Sequence, residues 1–477
     1  MKRLFKIISF GTIGVLVAVL IAATLIENIY GSSFAIDGIY HSTWFIAVWA
    51  LLAVTSMAYI LCVSKRRSLI LLHASLVLVL LGAFVSFMTS KRGDMVVAQD
   101  AVPASMFEMA DGTLEKLPFR LQLASVDTVY SKNGTPCDYR VHILASWERK
   151  SESEKGKTCT DGIKECAQHT VSLNAPVKIG GYQLCIKGVQ EEGVSLLVSY
   201  DPLGRMVSYL GYAMVFISFL LLSFDRKSGF NALLYKLKVK GVRHKVEEKY
   251  WNGWGEMWGV LLCVPMLLCV LWCERGVFPA TNGIEALMLL AVFVTLFAVA
   301  LRRTKHLALL KRVLPVVAII IFAVAAWNFD VDVDVQPILR TPLLGIHVTT
   351  IIIAYALLAC TAVNAVIALC LKDEKIRTQQ ALLGRLLLYP ATMLLAGGIF
   401  IGAVWANLSW GRYWGWDPKE VWALVTLLVC SVGFHSHSLR FISKPVAFHV
   451  FCIVAFMAVL FTFFGVNYLL GGLHSYA

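Results

Sequence analysis

Between residues 405 and 422 the chain reads WANLSWGRYWGWDPKEVW, gathering Trp405, Trp410, Trp414, Trp416 and Trp422 around Tyr413. Aromatic rings at the end of an apolar segment ordinarily mark a membrane–water interface. That accounts for one or two of these rings, not for the group. Gly411 and Gly415 leave room for a partner close to the backbone. A platform of flat rings suits a large, flat, apolar ligand with a polar edge, and haem answers that description. The run Asp417-Pro418-Lys419-Glu420 also spells a helix start, with Asp417 as N-cap, Pro418 at the first helical position and Glu420 completing a capping box. Asp417 and Glu420 are open to two readings, as caps and as groups that touch a ligand. A haem iron takes axial ligands, and His73, His347, His435 and His474 are the candidates to supply them.

These residues need a frame. The chain has 477 residues, of which 58% are hydrophobic, and a net charge of +13; its mean hydropathy of +0.71 excludes an ordinary soluble domain. Apolar runs long enough to cross a bilayer recur along it. Such a basic balance could signal nucleic acid. Here Lys and Arg concentrate in short loops on one side of the apolar runs, the positive-inside pattern of a membrane protein. Spans are expected at about 7–26, 43–63, 69–88 and 206–224, then 255–273, 283–301, 313–329, 343–371, 386–406, 421–435 and 446–465. With the basic loops inside, the N-terminus is inside and the C-terminus outside.

The first run is longer than a signal-peptide core and is taken as a retained span. The polar stretch 91–205 alternates over 120–126, 140–147 and 194–200, with turn signals at Asn133-Gly134 and Gly180-Gly181. It predicts a small β-rich domain outside the membrane. The expected fold is thus an all-α polytopic membrane protein of about eleven transmembrane helices, with one β-rich extracytoplasmic domain. Its divisions are three helices in 1–90, the β domain in 91–205, a fourth helix and basic linker in 206–250, and a second membrane domain in 251–477. The linker 225–249 alone carries eight Lys or Arg. Cys137, Cys159, Cys166 and Cys185 fall in the polar stretch, where an oxidising compartment would allow one or two disulfides.

This topology sorts the histidines into two layers. His73 enters roughly 6 Å into the third span, by helical rise, and His435 ends the tenth at a similar inner depth. They come from different halves of the chain. His347 and His474 fall outside, flanking the tryptophan-rich loop. Ionisable residues inside a membrane are costly and mark function by default, whereas a single interfacial histidine more often snorkels or hydrogen-bonds. Depth-matched pairs favour ligation. His449 also lies near the inner end of its span and competes with His435.

The stretch WGRYWGWDPKEVWAL at 410–424 resembles the tryptophan-rich signature of haem-handling cytochrome c biogenesis proteins. The ending FFGVNYLLGGLHSYA is similar to the C-terminus of the system II, CcsA-type branch, as are TNGIEALMLLA at 281–291 and QPILRTPLLGIHVTTIIIAYALL at 336–358. The first half resembles the partner family of CcsB or ResB type, through LLHASLVLVLLGAFVSF at 71–87 and DPLGRMVSYLGYAMVFISFLLL at 201–222. The whole therefore resembles a natural fusion of both partners, a cytochrome c synthase of the CcsBA type. A domain of about 115 residues is short for that family, its four cysteines fall outside the pattern, and Ala477 stands where Gly is common.

The resemblance implies haem b as bound substrate, His73 and His435 as inner iron ligands, and His347 and His474 as outer ones. We assign Trp410, Trp414, Trp416 and Asp417 to the reacting centre, and Trp405, Tyr413 and Trp422 to the wall that contacts haem. The implied partner is an apocytochrome c with a CxxCH segment, kept reduced by a thiol-reducing membrane protein or a thioredoxin-like protein. The implied location is the bacterial inner membrane, with the β domain and tryptophan loop facing the periplasm. Two alternatives stand beside it. A haem exporter or chaperone would use the same histidines without ligation chemistry. A bis-histidine electron-transfer protein would need no external aromatic platform, and would place paired histidines along shared helices.

Overall fold

The computed structural model describes residues 1–99, 101–131, 134–148, 163–190, 193–225, 228–239, 254–301, 308–329, 335–436 and 438–470. The chain begins with α1 (Lys2–Tyr30) and a single turn α2 (Ser32–Ala35), then α3 (Thr43–Val63) and α4 (Arg67–Thr89). Eight strands follow: β1 (Lys91–Val97), β2 (Ala104–Met109), β3 (Leu114–Tyr130), β4 (Pro136–Glu148), β5 (Ile163–Ser172), β6 (Val177–Ile179), β7 (Tyr182–Gln190) and β8 (Gly193–Tyr200). Helices resume with α5 (Gly204–Phe224), α6 (Gly229–Val239), α7 (Trp254–Arg275), α8 (Gly283–Leu301), α9 (Ala308–Trp327), α10 (Pro342–Cys370) and α11 (Glu374–Trp410). The last are α12 (Pro418–Val432) and α13 (Pro445–Leu460), the latter continuing as a wider π turn over Phe461–Leu470.

Among the described residues, nine helices are long and apolar enough to cross a membrane. They are mostly helices expected as spans, and the protein is a multi-pass membrane protein. Two of the eleven expected spans fall outside that measure. One is α7, whose first-half side chains lie outside the described residues. The other is α12, which at 15 residues is shorter than the roughly 20 a bilayer requires. A 3-10 turn, Gly433–His435, extends it.

The strands form one antiparallel sheet in the order β5-β4-β3-β2-β1-β8-β7-β6. It rolls far enough for β5 to approach β6 and β7. The alternation seen in the sequence becomes a two-faced surface: Met95, Phe107, Leu121, Ile143, Leu184 and Leu196 share the enclosed core. The turn signal Gly180-Gly181 takes positive φ at both residues, 56° and 88°, a conformation glycine adopts without steric cost. Among the described residues Cys137 and Cys185 are free thiols; the other two cysteines of the disulfide expectation, Cys159 and the side chain of Cys166, lie outside the described residues.

The sheet is mounted on two helices. Strand β1 leaves α4 directly, β8 leads into α5, and the two strands pair from Lys91↔Tyr200 to Val97↔Val194. Below them α4 and α5 cross at small residues. A Cβ on Gly211 would stand 2.7 Å from Val79 Cγ2, and one on Gly82 would reach the Ser208 backbone at 2.5 Å. Small residues at a helix crossing let backbones approach closely, which in lipid supplies the packing that hydrophobicity cannot. The sheet is therefore a continuous extension of one membrane hairpin.

Candidate functional site

His73 lies on α4 at the end away from the sheet, and His435 closes the 3-10 turn after α12. Their ring centroids are 6.5 Å apart and their planes cross at 88°. Each ring is held by its own helix. His73 Nδ1 is 2.9 Å from the Leu69 carbonyl oxygen, and His435 Nδ1 is 3.0 Å from that of Ser431. Such bonds place the proton on Nδ1 and leave the Nε2 lone pair for another partner, the arrangement seen for metal-bound imidazoles. An iron between two imidazoles takes roughly 2 Å per metal–nitrogen bond and about 1 Å from nitrogen to ring centre on each side, hence about 6 Å between centres. The residues present fit such an iron.

Among the described residues no cluster of three His, Cys, Asp or Glu side chains is placed to hold a bare metal ion. Two facing imidazoles instead suit an iron whose other ligands come with it. His449, the competing residue, is fully buried and its Nε2 is 3.1 Å from the Arg377 carbonyl oxygen. The geometry thus pairs His73 with His435. Phe10 of α1 stands edge-on to His435 at 5.2 Å, and the Tyr59 hydroxyl of α3 shares a hydrogen bond of 2.8 Å with Ser438. The first and third helices wall this site, a contribution that apolar periodicity alone did not single out.

At the sheet end, His347 sits in the second turn of α10, with Nδ1 2.7 Å from the Gly398 carbonyl oxygen of α11. Gly402 makes room for the ring: a Cβ there would stand 2.7 Å from His347 Nδ1. His474, the expected partner, lies outside the described residues. Helix α11 ends at Trp410 with Gly411 in the left-handed region, φ 65°, which turns the chain into the tryptophan loop. The loop closes onto α12 through the expected capping box. Asp417 Oδ2 accepts from Lys419 N at 3.2 Å, and Glu420 Oε2 accepts from Gly415 N at 2.7 Å and Asp417 N at 3.3 Å.

The rings of the loop do different things. Trp405 is buried on α11, edge-on to Trp410 at 4.9 Å, in a cluster with Val335, Leu339 and Leu344. Trp414 and Trp416 meet at 5.8 Å and 89°. Trp416 has φ 59° and stacks on Tyr40 at 4.6 Å and 6°. Trp422 faces the helix packing: its Nε1–H donates to Thr24 Oγ1 of α1 at 3.1 Å, and its ring lies 4.0 Å from Phe461. Tyr413 points into the other half of the chain, buried, bonded to Ser86 and Ser208. Trp410, closing α11, stays beside Trp405, while Trp414 and Trp416 meet on the loop; all three are half-buried.

The sheet is docked on this loop. Gln183 donates to the Asn407 carbonyl at 2.6 Å and accepts from Arg205 at 2.7 Å. Ser409 donates to Asn174 at 2.7 Å. A Cβ on Gly411 would stand 3.4 Å from Cys185 Sγ, and burial pushes that thiol's pKa up. Tyr40, Thr24, Gln183 and Phe10 were not foreseen, because each acts through a partner hundreds of residues away.

A multi-pass bundle with membrane-embedded paired imidazoles and an aromatic loop under a docked sheet defines a membrane protein built from two interlocked halves. Residues 280–474 match the family described as Cytochrome C assembly protein, and residues 63–210 match the ResB-like family. The cytochrome c biogenesis protein CcsA of Microcystis aeruginosa is 30% identical over 278 residues, covering 45% of this chain and 84% of that protein. CcsA of Chlamydomonas reinhardtii is 34% identical over 237 residues, covering 45% of this chain and 65% of that protein. Protein NrfI of Wolinella succinogenes is 32% identical over 212 residues, covering 42% of this chain and 23% of that protein. The match thus spans less than two thirds of the last two relatives. The chain belongs to the CcsA family of cytochrome c biogenesis proteins, with a ResB-like half in the same chain, as in a system II fusion of CcsB and CcsA partners.

Proposed function

We propose that this protein is a cytochrome c synthase of the bacterial inner membrane, which carries haem outward and joins it to the thiols of a CxxCH segment in apocytochrome c. The observation that carries the reading is the facing pair His73 and His435, one from each half, 6.5 Å between ring centroids. Haem is the transported substrate. His73 and His435 hold its iron near the inner face, and His347 with His474 receive it beside Trp410, Trp414 and Trp416. The basic loops support an orientation with the His73 end inside and the sheet outside.

At the outer site each cysteine thiol adds across one haem vinyl group. The sulfur bonds one vinyl carbon and the proton goes to the other, so nothing leaves and no electrons are gained or lost overall. The chain's contribution is positional, because holding thiol and vinyl in register removes much of the entropic barrier. His347, fixed by Gly398 and given space by Gly402, sets where the iron rests. Asp417 holds the loop by capping α12, which keeps the platform in place. The thiols must arrive reduced, supplied by a thiol-reducing membrane or thioredoxin-like partner.

The test is co-expression with a reporter apocytochrome c in a host lacking its own maturation genes. Wild type is expected to give covalent haem on stained gels. His73→Ala, His435→Ala, His347→Ala and His474→Ala are expected to lose it. Haem bound to the membrane protein without covalent product would replace the synthase reading with that of a haem exporter.

A further inference from the structure

The sheet face turned away from the core carries Arg92, Ser199 and Gln183 in one row, because Arg92 pairs with Ser199 and Ser199 with Gln183. Ser199 and Gln183 are buried against residues 407–411, so Arg92 belongs to the seam between sheet and tryptophan loop. Its Nε–H is buried and has no hydrogen-bond partner among the described residues. A buried donor on a charged group left without an acceptor is costly, and its retention points to an acceptor that arrives from elsewhere.

The neighbours define what that acceptor is. Arg412, on the loop, folds over Gly415, where a Cβ would stand 2.7 Å from its Cζ. Burial, reinforced by the Arg412 charge, pushes Arg92 down to about 10, so it stays charged at neutral pH. Tyr209 of α5 packs on Tyr413 at 6.4 Å and carries a buried hydroxyl that also lacks a partner among the described residues. On the acidic side, Asp201 accepts from Ser86 at 2.5 Å through Oδ2, while Oδ1 has no partner among the described residues. Glu420 already accepts from the backbone at Gly415 and Asp417. Two guanidiniums and a phenol outnumber the one open carboxylate oxygen, Asp201 Oδ1, and favour an added anion with several oxygens, which arginine forks recognise best.

We infer that Arg92 and Arg412, one from each half of the chain, form a carboxylate site that holds the propionate edge of haem at the outer site. The inference rests on the tryptophan loop being the outer haem site. Propionates are the only ionised edge of haem, and stacked indoles offer them no partner. Charge-assisted bonds at this edge would fix the rotation of the porphyrin in its plane, and so which vinyl meets which thiol.

The test is titration of the purified full-length protein with haem b and with its dimethyl ester, following the Soret band. The outer-site component is the one lost in His347→Ala. Wild type is expected to bind haem at that component about tenfold tighter than the ester. Arg92→Gln and Arg412→Gln should each bring the two affinities close together, and Arg92→Lys should retain most of the preference. Equal affinities in wild type would overturn the inference while leaving the haem reading intact. So would an Arg92→Gln variant that weakens both ligands alike, since the residue would then serve only Asp201. No outer-site component for either ligand would overturn the haem reading of the loop itself.

Discussion

The Tyr413 hydroxyl donates to Ser86 Oγ at 2.9 Å, linking the tryptophan loop to the last turns of α4 across 327 residues of sequence. Ser208 donates to the same hydroxyl at 3.2 Å, and Ser86 passes the chain on to Asp201 at 2.5 Å. Four side chains thus run one proton-donor line from α5 through the loop to the base of the sheet. Tyr413→Phe removes two of these bonds. It should lower stability by about 1–2 kcal/mol, seen as a lower unfolding temperature in detergent, with the haem spectrum of the His73–His435 site unchanged.

Gly402→Ala tests the seat of His347. An added methyl would overlap the imidazole, so the ring must swing off the Gly398 carbonyl. Covalent cytochrome should fall at least about tenfold, as misplacement by an ångström costs in general. Haem bound between His73 and His435 should persist in spectra of the purified variant.

Gly211→Leu should separate α4 from α5, because its Cβ meets the Val79 backbone at 2.9 Å. Overpacking of this kind costs about 1–3 kcal/mol, measured as faster unfolding and as weaker protection of the sheet from protease. Gly14→Leu is the matched control: nothing lies within 4 Å of its Cβ position, and no change is expected.

Trp416 holds φ 59° although it is not glycine, a strained backbone that persists only where packing over-determines it. Tyr40 supplies that packing by stacking at 4.6 Å. Tyr40→Leu removes about 1 kcal/mol of ring stacking. The expected outcome is a several-fold loss of covalent product on haem-stained gels with the inner haem spectrum unaltered.

Several of these features were legible in the chain itself. Alternating basic loops give each helix a direction, and directions are enough to bring His73 and His435 to one depth. The capping box at Asp417 and Glu420 is local, so spacing alone reveals it. The split between sheet and helices follows from the change of period at residue 91. Tyr413 and Trp422 were read with the ligand wall because their neighbours in sequence are aromatic. Their hydroxyl and indole N–H instead find Ser86, Ser208 and Thr24, partners that no local pattern names. The choice between His435 and His449 likewise depended on helix rotation, which hydropathy does not fix when a helix is apolar all round.

The His73–His435 pair has a consequence for assembly. One imidazole rides on the hairpin that carries the sheet, the other on the helix that follows the tryptophan loop, so either half alone presents a single nitrogen to iron. A half-built protein would then grip haem poorly, and free haem would not be captured before the two halves had met. Joining them in one polypeptide raises the local concentration of each half for the other. If the pair binds haem as proposed, its loading is licensed by completed folding, a checkpoint written into the distribution of two side chains.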